Sequence, residues 1–408
     1  MTASGGRRRL LVRDLAQLVS PAGREAPLRG RALGEVDVLE DAYVLAEDGR
    51  IEAVGRMRDL GPLEGEVEEL DGRGLSAVPG LVDCHTHACF LGDRVDEFSL
   101  RAAGASYEEL HATGGGILST VRATRSGTPG ELEAATRKHA GWMRDAGTAT
   151  FEAKSGYGLD RDTELASLRA IRSAGGIPTW LGAHSVPPEF ADADAYIDFL
   201  LADVLPEAAQ LAEAADVFLE RGAFDVAQAR RYLGACREAG LALRLHGDQF
   251  TESGAIPLAV ELGARSVDHL EATGDEGIRA LAASGVVGVL LPASALFLAR
   301  PMPPGRALAD AGAAIAIATD FNPGSAFCES LPLVCSLAGT QLHLSPGEAL
   351  TACTVNAAHV LGRGERKGRV APGYDADITL LDAPDWRYLA YHLGGRVVAG
   401  VIVDGSPR

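Results

Sequence analysis

The stretch Leu75-Ser76-Ala77-Val78-Pro79-Gly80-Leu81-Val82-Asp83-Cys84-His85-Thr86-His87 decides how this 408-residue chain is interpreted. The apolar run from Leu75 to Val82 predicts a buried strand. In a strand, residues i and i+2 point to the same face. His85 and His87 would therefore leave the strand end side by side, where both imidazoles could bind one divalent metal ion. A pair of this kind is equally typical of packed polar side chains, so further residues are needed to distinguish a metal site from a packed pair.

Seven further apolar runs follow, separated by helical patterns. The eight predicted strands are Leu75–Val82, Thr148–Glu152, Thr179–His184, Val217–Glu220, Ala242–His246, Arg265–His269, Val286–Leu291 and Ala313–Asp320. Between the first two, a helix is predicted from Pro129 with Thr128 as its N-cap. Eight strands alternating with helices favour an α/β fold of the (β/α)₈ TIM-like barrel type over an open doubly wound sheet. No glycine-rich phosphate turn follows the first strand, which argues against a dinucleotide-binding domain.

Both chain ends lack helical periodicity. They contain short strand-like runs joined by Gly and Asp, namely 36–39, 42–46, 51–54, 376–381 and 397–403. Such runs are typical of small β structures. We therefore expect residues 1–74 and 365–408 to form one small composite β-sandwich domain beside a barrel of residues 75–364.

Composition excludes several function classes. Apolar residues make up 47% of the chain and charged residues 23%, as in ordinary globular proteins. The net charge of −18 leaves no basic stripe for nucleic acid. No run of 18 apolar residues predicts a membrane span, and the apolar run after Arg7-Arg8-Arg9 is too short for a signal peptide. Six scattered cysteines without a CxxC pair indicate reduced thiols and a cytoplasmic protein.

The predicted strand ends gather histidines. A (β/α)₈ barrel carries its chemistry at the C-terminal ends of its strands. Five of the ten histidines fall there, and the eighth strand ends in a carboxylate; these residues are His85, His87, His184, His246, His269 and Asp320. The other histidines, at 111, 139, 343, 359 and 392, lie in predicted helices or loops and are interpreted as surface or packing residues. Five histidines and an aspartate on one rim argue for a functional site.

Four of these residues form a candidate metal site. His85, His87, His246 and Asp320 offer three nitrogens and one oxygen, which suits one metal ion, either divalent Zn²⁺ or iron as Fe²⁺ or Fe³⁺. Zinc lowers the pKa of water towards ~7. Asp320 would accept the water proton, and His269 would orient or relay a proton. An alternative is that Lys154 is carboxylated and bridges two metal ions. Because the sequence shows no second cluster of ligands, we favour one ion, with Lys154 packing or pairing with a rim carboxylate.

These residues resemble those of the amidohydrolase superfamily and, within it, the imidazolonepropionase family. The broader resemblance rests on residues 79–87 with His246, His269 and Asp320. The closer one rests on further motifs, among them Lys154-Ser155-Gly156-Tyr157-Gly158, Val267-Asp268-His269-Leu270-Glu271 and Thr319-Asp320-Phe321-Asn322-Pro323-Gly324-Ser325. It implies hydrolytic ring opening of 4-imidazolone-5-propanoate to N-formimidoyl-L-glutamate, the third step of histidine degradation.

The resemblance also implies substrate contacts. These are Arg94, Tyr157, His184, Gln249, Asn322, Gly324 and Ser325. The Arg94 guanidinium suits the substrate carboxylate, although a surface arginine balancing Asp93 or Asp96 is the alternative. Gln249 stands where many superfamily members carry Glu. An amide has no titratable proton, so we expect Gln249 to hydrogen-bond the ring while Asp320 and His269 move protons.

Two other functions stay open on the sequence. One is another mononuclear metal amidohydrolase or deaminase acting on a cyclic amidine or nucleobase; its pocket would need no carboxylate clamp, so Arg94 discriminates. The other is a non-catalytic barrel acting as a binding module, which predicts lost ligands, and none is missing. The expected partner is a small molecule with a carboxylate. The apolar tail over residues 386–403 allows a homodimer.

Overall fold

The computed structural model describes residues 8–23, 25–104 and 115–408, so Arg7 and His111 lie outside it. The strands are β1 Arg9–Pro21, β2 Val36–Glu47, β3 Arg50–Arg56, β4 Glu68–Asp71, β5 Ser76–Pro79, β6 Leu81–Asp83, β7 Thr148–Lys154, β8 Ile177–Ala183, β9 Ala214–Leu219, β10 Ala242–Gly247, β11 Ser266–His269, β12 Val287–Leu290, β13 Ile315–Ile317, β14 Ile378–Leu381, β15 Val398–Val403 and β16 Ser406–Pro407.

The helices in these ranges lie mainly between the barrel strands. They are α1 Val95–Ala102, α2 Ile117–Ser126, α3 Pro129–Asp145, α4 Arg161–Ser173, α5 Ala193–Phe199, α6 Leu205–Leu211, α7 Val226–Glu238, α8 Ala255–Leu262, α9 Asp275–Ala282, α10 Pro292–Phe297, α11 Gly305–Asp310, α12 Leu331–Thr340, α13 Pro346–Ala352, α14 Val355–Val360 and α15 Tyr388–Tyr391. Thr128 caps α3 in a reciprocal capping box with Glu131. No helix in the described part of the chain has the length and apolar character needed to cross a membrane.

Strands β6 to β13 form the predicted barrel. Each pairs in parallel with the next in chain order. The barrel closes just beyond the ends of its first and last strands, where Thr86 bridges Phe321. There the His87 N–H donates to the Phe321 carbonyl at 2.9 Å, and the Asp320 N–H donates to the His85 carbonyl at 3.0 Å. The (β/α)₈ prediction is confirmed, and its closure places the histidine pair against Asp320.

The first predicted strand is in fact two strands, so the prediction of one strand over Leu75–Val82 is wrong. Ser76–Pro79 pairs with β1 and β14 in the terminal sheet, whereas Leu81–Asp83 enters the barrel. Gly80 lies between them, and a Cβ there would come within 2.6 Å of the Ala149 Cβ. The sequence pattern predicted one strand because Ser76–Pro79 and Leu81–Asp83 are both buried, so the apolar run continues across Gly80.

The remaining strands form a β unit from both chain ends, as predicted. They make one continuous mixed sheet in the order β16-β15-β14-β5-β1-β2-β3, with β4 beside β1. The register of β1 shifts between Val12 and Leu15, where Asp14 has a φ of 57°. Both ends of the sheet contribute to one apolar cluster, for example through Val44 and Ile402. Residues from both chain ends thus share one apolar core, and the strands that carry them belong to one sheet because β1 pairs with β5.

Candidate active site

Four predicted ligand residues converge at the C-terminal rim of the barrel. Nε2 of His87 lies 3.2 Å from Nε2 of His246. Oδ1 of Asp320 lies 3.6 Å from Nε2 of His85 and 3.5 Å from Nε2 of His87. All four side chains are buried. Residues from strands distant in sequence are thus brought to one point.

Carboxylates behind two of the histidines fix their tautomers. Nδ1 of His85 lies 2.6 Å from Oδ2 of Asp268, and Nδ1 of His246 lies 3.0 Å from Oδ1 of Asp216. Because a carboxylate only accepts, each Nδ1 carries the hydrogen and each Nε2 keeps its lone pair. Burial holds the pKa of His85 well below its ordinary value, so its imidazole is neutral.

The cluster fits a divalent metal ion. Nε2 of His85 and Nδ1 of His87 are buried without a hydrogen-bond partner. The ligand atoms of His85, His87 and His246 lie within 4.8 Å of one another, as do those of His85, His269 and Asp320. Donors about 2.0–2.1 Å from one tetrahedral zinc ion are roughly 3.3 Å apart. Converging lone pairs near that spacing repel unless a cation lies between them.

A buried ionic network lies beneath this cluster. Nζ of Lys154 is 2.8 Å from Glu152 and 2.9 Å from Asp216. A guanidinium nitrogen of Arg244 is 2.7 Å from Asp268, and another is 3.3 Å from Glu152. Burial raises the pKa of Asp216, but His246 and Lys154 outweigh it and hold that pKa well below its ordinary value. The network thus gives the carboxylate behind each of His85 and His246 a buried cationic partner.

The network shows what sequence reasoning missed. Lys154 was expected to pack or to pair with a carboxylate, and it contacts two in the barrel interior. Glu152, Asp216 and Arg244 were not singled out. The available signal was a charged residue inside each of several apolar parallel strands, which normally lack charges. Such charges must be paired when buried.

His269 lies beside His85 and His246, with its ring centroid 5.7 and 5.4 Å from theirs. Its Nδ1 is 3.4 Å from Oε1 of Glu271, and its backbone φ is 89°. Burial lowers the pKa of His269, but Glu271 and then Asp320 outweigh this and raise it above its ordinary value. Glu271, which sequence reasoning did not single out, is the group that orients this imidazole.

Arg94 forms an ion pair with neither Asp93 nor Asp96. Its Nε and Nη2 donate to the two carboxylate oxygens of Glu97 at 2.9 and 2.5 Å. The guanidinium lies against Gly324, where a Cβ would come within 2.0 Å of Nη1. Arg94 therefore borders the turn that follows Asp320.

That turn is tied together by Asn322. Its Oδ1 accepts the N–H groups of Gly324 and Ser325, both at 2.7 Å. Its Nδ2 donates to the Asp320 carbonyl at 2.6 Å. The Ser325 hydroxyl donates to Oδ2 of Asp320 at 3.3 Å. These residues hold Asp320 and the Arg94 contact surface in one rigid element.

Tyr157 and His184 border His87. The His87 and His184 rings stack at a centroid distance of 5.3 Å, and Tyr157 lies 6.0 Å from His87. Nδ1 of His184 donates to the Gly156 carbonyl at 2.9 Å, and burial lowers the pKa of His184 to about 3. Its Nε2 is therefore an acceptor at neutral pH.

Glu164 on α4, a further residue outside the predicted set, positions the loop that carries Tyr157. Its carboxylate accepts the N–H groups of Gly156, Gly158 and Leu159 at 2.9–3.1 Å. Burial raises its pKa above the ordinary value. Three converging backbone donors make this acidic side chain the anchor of the loop.

Gln249 is buried in the loop after β10. The next two residues are held by Glu220, which accepts the Phe250 N–H at 2.8 Å and the Thr251 N–H at 3.2 Å. His139, one of the histidines interpreted as surface or packing residues, donates its Nδ1–H to the Ala88 carbonyl at 2.8 Å, and its ring stacks on Phe90.

Known proteins match this chain over almost its whole length. Residues 76–407 match the model of the amidohydrolase family. An imidazolonepropionase from Rubrobacter xylanophilus is 62% identical over 97% of this chain and 98% of the relative. The chain belongs to the imidazolonepropionase family of amidohydrolases. One from Chloroflexus aggregans is 47% identical over 97% of each chain. An adenosine deaminase structure from Xanthomonas campestris, with a TM-score of 0.69, 19% identity and coverage of 98% and 92%, shares the fold.

Family membership and the histidine cluster together indicate a divalent metal site. The enzyme class that the sequence predicted, a hydrolase acting on C–N bonds of cyclic amides, is confirmed by the family. The solved deaminase has under a quarter of its residues in common with this chain and shows only the fold.

Proposed function

We propose that this chain hydrolyses a C–N bond of 4-imidazolone-5-propanoate, giving N-formimidoyl-L-glutamate in histidine degradation. The observation that carries the proposal is the 62% identity, over 97% of the chain, to a relative named imidazolonepropionase. The geometry supplies the parts that the reaction needs, because a convergent ligand cluster and a guanidinium flank the same turn, residues 320–325.

We propose that His85, His87, His246 and Asp320 hold one ion, either zinc or iron. These donors supply an N₃O set. Lys154 is already held by two carboxylates, which argues against a carboxylated bridge to a second ion. When bound, such an ion polarises water and a carbonyl group and lowers the pKa of water.

The protein's own residues then have separate tasks. Asp320 accepts the proton that water loses as its oxygen bonds to the ring carbonyl carbon. The ring C–N bond breaks, and that proton is delivered to the leaving nitrogen. His269, oriented by Glu271, relays the proton, and Gln249 hydrogen-bonds the ring. Arg94 binds the propionate, while Tyr157, His184, Asn322, Gly324 and Ser325 fix the ring's orientation.

The reaction is tested by supplying 4-imidazolone-5-propanoate and following the loss of its ultraviolet absorbance. We expect loss with metal-loaded protein, little loss after chelation, and recovery when zinc or iron is restored. Adenosine and guanine, tested for ammonia release, serve as controls for a deaminase. No loss of absorbance with fully loaded protein would contradict the proposed function.

We further infer a cytoplasmic homodimer. All six cysteines are free thiols, including Cys335 and Cys353, whose sulfurs are 3.6 Å apart and unbonded. Tyr391 and Leu393 near the C-terminus are 78% and 62% exposed, and they would be covered in a dimer. Light scattering after size-exclusion chromatography measures the mass directly; a monomer at micromolar concentration would contradict the dimer.

A further inference from the structure

Glu97, on the first turn of α1, pairs with Arg94 through one particular edge of the guanidinium. Nε donates to Oε2 at 2.9 Å, and Nη2 donates to Oε1 at 2.5 Å. The side chains of Arg94 and Glu97 are 15% and 13% exposed. This is a side-on bidentate contact, which fixes the plane as well as the position of the guanidinium.

The Glu97 carboxylate is also held from a second helix. Its Oε2 accepts the N–H of Gly116, at the start of α2, at 2.8 Å. Burial raises the pKa of Glu97, but the hydrogen bonds from Arg94 and Gly116 outweigh it and hold that pKa below its ordinary value. Glu97 is therefore a charged group with little freedom to move.

The side-on contact leaves the other edge of Arg94 available. A guanidinium has five N–H donors, and Glu97 takes one from Nε and one from Nη2. Nη1 has no hydrogen-bond partner among the residues that the structure describes, and it lies against Gly324. The open edge is thus directed along the turn that leads back to Asp320.

We propose that Glu97 is a positioning residue for substrate specificity, which locks Arg94 so that its Nη1 edge receives the substrate carboxylate. The inference rests on the proposed function, in which Arg94 binds the propionate. A free arginine side chain would have to lose its rotamer freedom when substrate binds. Glu97 fixes the side chain beforehand, so the carboxylate meets an aligned pair of donors.

If Glu97 acted only through its charge, its removal would change KM in the opposite direction from loss of positioning, so the two roles can be distinguished by experiment. An anion beside Arg94 weakens its attraction for a second anion. Removing Glu97 would then lower KM, whereas loss of positioning raises it. Asp96 is an exposed carboxylate on the same helix with no described hydrogen bond to Arg94. Asp96→Asn therefore removes an equal charge without the contact.

The experiment measures KM and kcat of the metal-loaded enzyme with 4-imidazolone-5-propanoate. We expect Glu97→Gln to raise KM about tenfold with kcat within about twofold. Glu97→Asp, which keeps the charge on a shorter side chain, should raise KM less. Asp96→Asn should leave KM unchanged. A KM for Glu97→Gln equal to or below that of the wild type would overturn the proposal.

A double-mutant comparison separates positioning from a structural role. In an Arg94→Met background, Glu97→Gln should not raise KM further, because the residue that it positions is gone. The same tenfold rise in both backgrounds would mean that Glu97 acts through Gly116, and would also overturn the proposal. Inhibition by imidazole-4-propionate should weaken in Glu97→Gln, but inhibition by its carboxamide should not. Wild-type turnover reports separately on the proposed function.

Discussion

Oδ2 of Asp268 lies 2.6 Å from Nδ1 of His85, and both side chains are completely buried. The same oxygen accepts from Arg244 at 2.7 Å. A carboxylate that contacts both a guanidinium and an imidazole in the barrel interior orients the imidazole. His85, the first histidine of the pair, is thus held by a partner 183 residues further along the chain.

Asp268→Asn should weaken metal binding ten- to hundredfold, because His85 loses its anionic partner. Competition with a chromophoric chelator measures this affinity without reference to activity. Glu261→Gln, in the exposed pair with Arg230, is the control and should leave the affinity unchanged. Equal affinities for Asp268→Asn and wild type would mean that the carboxylate does not tune His85.

Lys154→Met should destabilise the fold by about 3–5 kcal/mol, because Glu152 and Asp216 would stay buried without their ammonium partner. Urea unfolding of the metal-free protein measures the change. In the exposed Arg230–Glu261 pair, Arg230→Met should change stability by less than about 1 kcal/mol. Similar small losses at both positions would argue that the network contributes little to stability.

Arg94→Met should raise KM for 4-imidazolone-5-propanoate roughly ten- to hundredfold, since a charge-assisted contact to the carboxylate is worth about 1.5–3 kcal/mol. Metal content should not change, and elemental analysis checks it. Arg101→Met, on the helix that begins directly after Arg94 but stacked on Phe297, is the matched control. An unchanged KM would remove Arg94 from the substrate pocket.

Asp320→Asn should lower kcat by roughly 10²–10⁴-fold, because an amide accepts no proton from water. The measurement is made at saturating metal, so that weaker metal binding does not account for the loss. Ser325→Ala, which removes the 3.3 Å hydrogen bond to Oδ2, should have a much smaller effect. A near-wild-type rate for Asp320→Asn would show that another base acts.

Glu348→Gln should destabilise the protein at pH 7 by at most about 1 kcal/mol, because its partner Arg306 is partly exposed and solvent screens the pair. Burial raises the pKa of Glu348, but its bonds to Arg306 and Ser345 outweigh it and lower the pKa overall. A lowered folded pKa adds stability above the unfolded value of ~4.3 and loses it as pH falls through the folded pKa. The difference in stability between the two proteins should therefore shrink in urea unfolding as the pH falls below the unfolded value of ~4.3 and through the folded pKa. A difference that persists undiminished there would contradict the ionic origin.

The sequence by itself determined the barrel and most of the rim. Its eight apolar runs alternate with capped helices, and strand ends in such a barrel share one face, so His85, His246 and Asp320 could be placed together before any coordinates. These are local patterns, which the spacing of apolar residues along the sequence reveals. The same patterns could not divide residues 75–82 between two sheets, because a run of buried residues has the same apolar sequence pattern in the terminal sheet as in the barrel.

Tertiary structure alone decided which groups act on which. Four strands contribute the members of the ionic network, and only the barrel fold sets the 2.7–3.3 Å distances that pair Glu152, Lys154, Asp216, Arg244 and Asp268. The sequence pointed to Arg94 as a contact for the substrate carboxylate, with Asp93 or Asp96 as the alternative partner, and it did not point to Glu97. A helical turn places residue i+3 beside residue i, so Glu97 faces Arg94 and leaves one edge of the guanidinium open towards Gly324.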